Sequence, residues 1–312
     1  MTKLEDKVRA FERKIAFFQG FSQAHAKIEM AIESTRLRGI PTSAVLIGPS
    51  GSGKSTLCNI IKNSFPETSI KVEPDRIVHT IPALYCCVPA KVTIKSFCKV
   101  MVSSLDCPDT RGDTEDLFLR LIKLIKTCQT EIVFIDEFHT LADPENEKQL
   151  TVLINWLVSL INRLSIPIIC AGTDACKYII YKEDRLARRY PFLAELSYVK
   201  FDQNPNSEFM TLLRLLDEQL YQIGNLATGA HLTDTNISTP LHVATQGNLE
   251  YIRQILSRAF TTCLARRSLS LQKQDFHDAC STIELKLCPC RGANPFSLSI
   301  SNCYALLEGR RQ

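Results

Sequence analysis

The sequence predicts an α/β protein, a parallel sheet flanked by helices and followed by a smaller helical unit. Three observations carry this. Short, mainly apolar runs at 44–47, 77–88, 132–135 and 166–171 alternate with helical stretches at 55–65, 93–105, 114–127 and 147–163. Strands that are apolar along their whole length are buried on both faces, and alternation with helices makes their sheet parallel. A glycine-rich segment joins the first run to the first helix, and an acidic pair ends the third run. In open parallel sheets ligands sit at these C-terminal strand ends.

Residues 3–38 read as helical, with Ile28, Ala31 and Ile32 at helical spacing, up to the stop Gly39-Ile40-Pro41. The alternating pattern then runs to Phe201-Asp202-Gln203-Asn204-Pro205, and beyond it only helices are evident, at 207–223 and 249–265. The expected organisation is therefore an N-terminal helical segment (1–40), an α/β core (41–203), a helical unit (204–270) and a tail (271–312). There is no internal repeat.

The glycine-rich segment is Gly48-Pro49-Ser50-Gly51-Ser52-Gly53-Lys54-Ser55-Thr56, which fits G-x-x-x-x-G-K-[ST] with a strand before it and a helix after. Its glycines let backbone amides curl around phosphates, and the helix dipole adds to their field. Lys54 is expected to reach the β/γ-phosphates and Ser55 to bind Mg²⁺, so a nucleoside triphosphate and Mg²⁺ are the cofactors implied. In Ile132-Val133-Phe134-Ile135-Asp136-Glu137 a buried strand delivers two carboxylates. Asp136 is expected to hold Mg²⁺, and Glu137 to orient and activate the attacking water. A second carboxylate beside the metal ligand favours hydrolysis over nucleotide sensing alone.

The fourth strand ends in Gly172-Thr173-Asp174. Thr173 is expected to report nucleotide state; the competing role is a helix N-cap. Arg185, Arg188 and Arg189 follow, any of which could act on a neighbouring subunit's γ-phosphate, with Arg189 the first choice and a solvated basic face the alternative. Arg253, opening a helix after Gly247, suits contact with phosphate from the second unit or a plain surface position. Lys91, Lys95 and Lys99 recur every four residues and share one face if their helix starts near Lys91. Such a stripe could contact DNA phosphates without reading bases, or simply face solvent. His139 has no evident partner.

A net charge of +4 allows contact with nucleic acid without demanding it. The 13 cysteines are spread and odd in number, which reads as reduced thiols of a cytoplasmic protein. Cys280, Cys288, Cys290 and Cys303 lack the paired C-x₂-C spacing of zinc sites. No window is apolar enough to span a membrane.

These elements, in this order, resemble the AAA+ ATPases, and within them the TniB/TnsC transposition regulators. The narrower resemblance rests on the proline-bracketed Pro82-Ala83-Leu84-Tyr85-Cys86-Cys87-Val88-Pro89, the Asp136-Glu137-Phe138-His139 strand end, Ala171-Gly172-Thr173 and Arg188-Arg189-Tyr190. It runs from about residue 20 to 265. The sequence departs from the family in having Glu250 where an arginine is expected and Tyr190-Pro191 after the arginines. The resemblance implies an AAA+ core with a helical lid at 204–270. It also implies an ATPase that binds duplex DNA without sequence preference, forms homo-oligomeric rings or filaments, and links a target-selection protein to a transposase. Two other classes stay open: a replication-initiator or loader-type AAA+ protein, and a DNA-independent signalling NTPase.

Overall fold

The computed structural model describes residues 3–72, 77–90, 93–143, 145–266, 270–290 and 292–309. Two compact units emerge, residues 21–196 and residues 1–20 with 197–312. The division expected from sequence is contiguous. In the structure the first 20 residues cluster instead with the C-terminal part of the chain, and the break falls after Leu196.

The chain enters through α1 (Lys3–Glu12) and α2 (Gln19–Arg38). The core unit then runs β1 (Ala44–Ile47), α3 (Lys54–Asn63), β2 (Ser69–Val72), β3 (Ile77–Thr80), β4 (Ala83–Cys87), α4 (Ile94–Ser104), α5 (Thr114–Thr127), β5 (Ile132–Asp136), α6 (Glu147–Leu164), β6 (Ile168–Gly172), α7 (Asp174–Tyr181), α8 (Asp184–Ala187) and β7 (Phe192–Glu195). The main sheet has the order β4-β5-β6-β1-β7, and every pairing in it is parallel. Val45, Ile47, Leu84, Cys86, Val133, Ile135, Ile168 and Cys170 form one core with α4, α5, α6 and α7. The alternate residues Ala44, Leu46, Phe134 and Ile169 are equally buried, so both faces are covered, as continuous apolar strands require.

Two local readings change. The expected strand at 77–88 breaks at Ile81-Pro82 into β3, which pairs antiparallel with β2, and β4, which enters the main sheet. Proline has no amide to give a ladder, so it marks the switch between sheets. Strand β7 has only four residues and follows Pro191, too short to signal itself, yet it pairs with β1 along its whole length.

In the other unit, α9 (Glu208–Gly224), β8 (Thr228–Gly229), α10 (Thr235–Thr245), α11 (Leu249–Ala265), β9 (Ser270–Leu271), α12 (Lys273–Ser281) and α13 (Ile300–Glu308) follow in order. Helix α1 packs on α9 and α11, with the Phe11 and Phe260 rings 5.9 Å apart. The tail is folded: α12 lies on α11 and α13 on α10. Among the described residues no helix is long and apolar enough to cross a membrane.

Candidate functional site

Strand β1 delivers the chain into the loop at Gly48, whose amide donates to the Gly172 carbonyl (3.1 Å) at the end of β6. A side chain at Gly48 has no room, because a Cβ would lie 2.4 Å from the Leu196 carbonyl oxygen. Gly51 (φ 77°) and Gly53 (φ 97°) take left-handed backbone, open to glycine at little cost. Gly53 is the N-cap of α3 and no side chain caps this end, so its amides face the loop. Ser52 Oγ is buried and has no hydrogen-bond partner among the described residues. Lys54, only 6% exposed, reaches back so that Nζ donates to the carbonyls of Gly48 (2.9 Å) and Pro49 (3.0 Å). Ser55 and Thr56 are exposed in the first turn of α3. Uncapped amides, a buried hydroxyl and an ammonium around one loop fit an anionic phosphate group.

The Ser55 hydroxyl donates to Asp136 Oδ2 (2.5 Å), joining residues 81 apart in sequence. Asp136 is 1% exposed, and its Oδ1 accepts the Glu137 amide at 2.9 Å. A hydroxyl and a carboxylate meeting at a strand end are the oxygen donors that Mg²⁺ uses, so the chemistry of Ser55 and Asp136 is compatible with that metal. Tyr85, from β4, also donates to Asp136 Oδ2, at 2.6 Å. Burial first, and that bond second, push its phenol far above the usual tyrosine range, so it stays a neutral donor. The Cys58 thiol, one turn along α3, is pushed up by burial and then by Asp136, and so keeps its proton. Sequence reasoning passes over Tyr85; a lone polar aromatic in an apolar, doubly covered strand is the available signal.

Glu137 takes left-handed backbone (φ 56°, ψ 31°) before a short 3₁₀ turn at Phe138–Leu141. Its carboxylate is 42% exposed and its Oε2 lies 3.6 Å from His139 Nε2. The other ring nitrogen of His139 accepts the Thr173 amide (3.4 Å). His139 therefore does have partners, contrary to expectation. Thr173 is at the N-cap position of α7, but its hydroxyl makes no capping bond, so that competing role is unused.

The arginines differ in how they are held. Arg189 donates to the Arg185 carbonyl and to Asn162, both at 2.6 Å. Arg185 pairs with Glu183 (2.5 Å) and Asn155 (2.7 Å). Arg188 is exposed, and among the described residues its guanidinium has no such partner. Arg253, in α11, donates to the carbonyls of Phe11 (3.1 Å) and Lys14 (2.7 Å) and stacks over the Phe11 ring. Burial lowers its pKa from the ordinary arginine value. These bonds tie α1 to α11 and occupy the guanidinium expected to meet phosphate.

Helix α4 starts at Ile94, after Thr93, whose hydroxyl caps the Ser96 amide (3.2 Å). Lys95 and Lys99 are exposed one turn apart, while Phe97, Cys98, Met101 and Val102 face the core. Lys91 lies outside the described residues.

Three solved structures resemble most of the chain. The ORC2 protein of Aeropyrum pernix, in ADPNP–ADP complexes, aligns with a TM-score of 0.59 at 14% identity, over 88% of this chain and 71% of that one. Cdc6p from Pyrobaculum aerophilum aligns with a TM-score of 0.57 at 13% identity, over 87% and 69%. The Aeropyrum pernix ORC1 protein, in complex with DNA, aligns with a TM-score of 0.54 at 15% identity, over 83% of this chain and 65%, just under two thirds, of that one. At such identities the likeness shows the fold alone, and that fold is the AAA+ one, with its five-stranded parallel sheet. No curated protein matches by sequence. The family of bacterial TniB proteins matches residues 11–197, more than half the length. The loop at 48–56, the Asp136-Glu137 strand end and β7 all fall inside that match, and the chain belongs to the bacterial TniB protein family.

Proposed function

We propose that the chain is an ATPase that binds ATP and Mg²⁺ at 48–56 and uses ATP to assemble copies of itself on duplex DNA during transposition. The observation that supports it most is the meeting of Ser55, Asp136 and Glu137 beside the phosphate loop. When bound, Mg²⁺ supplies charge neutralisation across the transferring phosphoryl group. The loop amides and Lys54 hold the phosphates; Ser55 and Asp136 hold the metal. Glu137 orients the attacking water and accepts its proton. Thr173, next to that carboxylate through His139, senses the γ-phosphate.

An arginine from a neighbouring copy completes the site and makes ATP an assembly signal. Arg189 is the first choice from sequence, yet its bonds to Arg185 and Asn162 hold it in place, and the exposed Arg188 is better able to reach another subunit. Arg253 is better suited to pinning α1 than to touching phosphate.

Lys95 and Lys99 supply the phosphate-facing cations of the DNA surface. Replacing both with alanine is expected to weaken duplex binding and flatten the log–log salt dependence by up to about two units. Binding isotherms across a salt series check this, and an unchanged slope would clear both residues.

Tyr85→Phe removes one of the two hydroxyls on Asp136 Oδ2. Outer-shell partners of metal ligands are worth roughly 10–100-fold in metal affinity. The Mg²⁺ midpoint for turnover should therefore rise by about 10-fold, with nucleotide affinity little changed. An unmoved midpoint would reduce Tyr85 to a packing residue.

The resemblance to archaeal ORC and Cdc6 structures favours one second reading, an initiator- or loader-type protein. Footprinting distinguishes the two, since an initiator protects one sequence whereas the proposed protein protects any duplex.

A further inference from the structure

The contacts of His139 join two parts of the site that the sequence keeps 34 residues apart. At the end of β5 the chain coils at once, with Glu137 in left-handed backbone, and this brings the imidazole between the Glu137 carboxylate and the end of β6. One nitrogen, Nε2, is 3.6 Å from Glu137 Oε2, and the other, Nδ1, is 3.4 Å from the Thr173 amide nitrogen. A backbone amide can only donate, so Nδ1 must be the bare nitrogen and the ring proton of the neutral form sits on Nε2, facing Glu137. The ring is also held from the side. A Cβ on Gly172 would come 2.6 Å from Nδ1, so the imidazole rests directly on the backbone of Gly172.

We propose that His139 is a positioning residue that holds the Glu137 carboxylate through Nε2–H and makes that hold depend on where Gly172 and Thr173 lie. A displacement of Thr173 on meeting the γ-phosphate shifts the ring, and the ring shifts the carboxylate that orients water. Nucleotide state at the end of β6 is thereby passed to the end of β5 through one side chain. The role rests on Glu137 being the water-orienting group proposed above.

Three variants separate positioning from packing. His139→Gln keeps a donor and an acceptor; His139→Met keeps bulk and loses both; His139→Ala loses everything. Steady-state kcat and KM, with the Kd of a fluorescent ATP analogue, are measured for each. The expected result is a kcat lowered roughly 10-fold in the Met and Ala variants, with Kd within about two-fold of wild type and Gln recovering much of the loss. In a Glu137→Gln background, His139→Met should cost little further, because no proton-accepting carboxylate is left to position. Packing alone predicts the reverse ranking, with Met better than Gln. Wild-type kcat in His139→Met, or a full second loss in the Glu137→Gln background, would overturn the proposal and leave the role of Glu137 intact. Wild-type turnover in Glu137→Gln alone would overturn the role of Glu137 and this inference with it. Retained nucleotide binding in the Met and Gln variants shows that both are folded, so those two suffice to decide between positioning and packing even if the Ala variant does not fold.

Discussion

Replacing Glu137 with glutamine is expected to lower ATP turnover by roughly 10²-fold or more while leaving ATP binding intact. Glutamine has the size of glutamate but cannot take a proton from water. None of the groups proposed to hold the phosphates and the metal changes: the loop amides, Lys54 and the Ser55–Asp136 pair are all separate from this side chain. The partial exposure of the Glu137 carboxylate suits a group that must meet water, whereas Asp136 beside it is sealed. Phosphate release under single-turnover conditions, with analogue binding measured in parallel, checks both halves. Normal turnover in this variant would remove Glu137 from the chemistry.

Lys54→Ala should abolish nucleotide binding at ordinary concentrations. The ammonium is nearly buried and bonded to two loop carbonyls, so it is already held where phosphate oxygens are expected. A hydrogen bond to a charged group contributes about 1.5–3 kcal/mol. Losing two such contacts to phosphate corresponds to at least about 10²-fold in affinity. Titration of a labelled ATP analogue measures this, with Lys54→Met as a variant that retains the bulk of the stem. Wild-type affinity in both would contradict the assignment of the loop.

Local chemistry explains what could be read in advance. Gly51, Gly53, Lys54 and the helix that follows are contiguous, and the glycine conformations they need are written into the segment itself. The apolar run ahead of Asp136 predicts a doubly buried strand, and β5 is buried at every position. What escaped detection depends on pairing across the chain. Tyr85 meets Asp136 only because β4 lies beside β5, and His139 meets Thr173 only because β5 lies beside β6. Helix α10 contains Pro240 and four threonine or serine residues, a poor helix by propensity, yet every side chain from Ile237 to Thr245 is buried. Packing decides that element against its local preference. The fate of the first 20 residues is likewise set by partners more than 200 residues away, such as Arg253 on the carbonyls of Phe11 and Lys14.

The lysine stripe rests on where its helix starts. Four-residue spacing predicts a shared face only within a helix, and α4 starts at Ile94 after the Thr93 cap. Lys95 and Lys99 keep the spacing and the exposure.

Electron microscopy of the full chain with duplex DNA and a non-hydrolysable ATP analogue tests the central claim most directly, because it asks whether nucleotide at this site drives assembly. Rings or helical filaments along the DNA are predicted with the analogue, and none without nucleotide or with Lys54→Ala. Single copies that fail to assemble with both DNA and analogue present would contradict it.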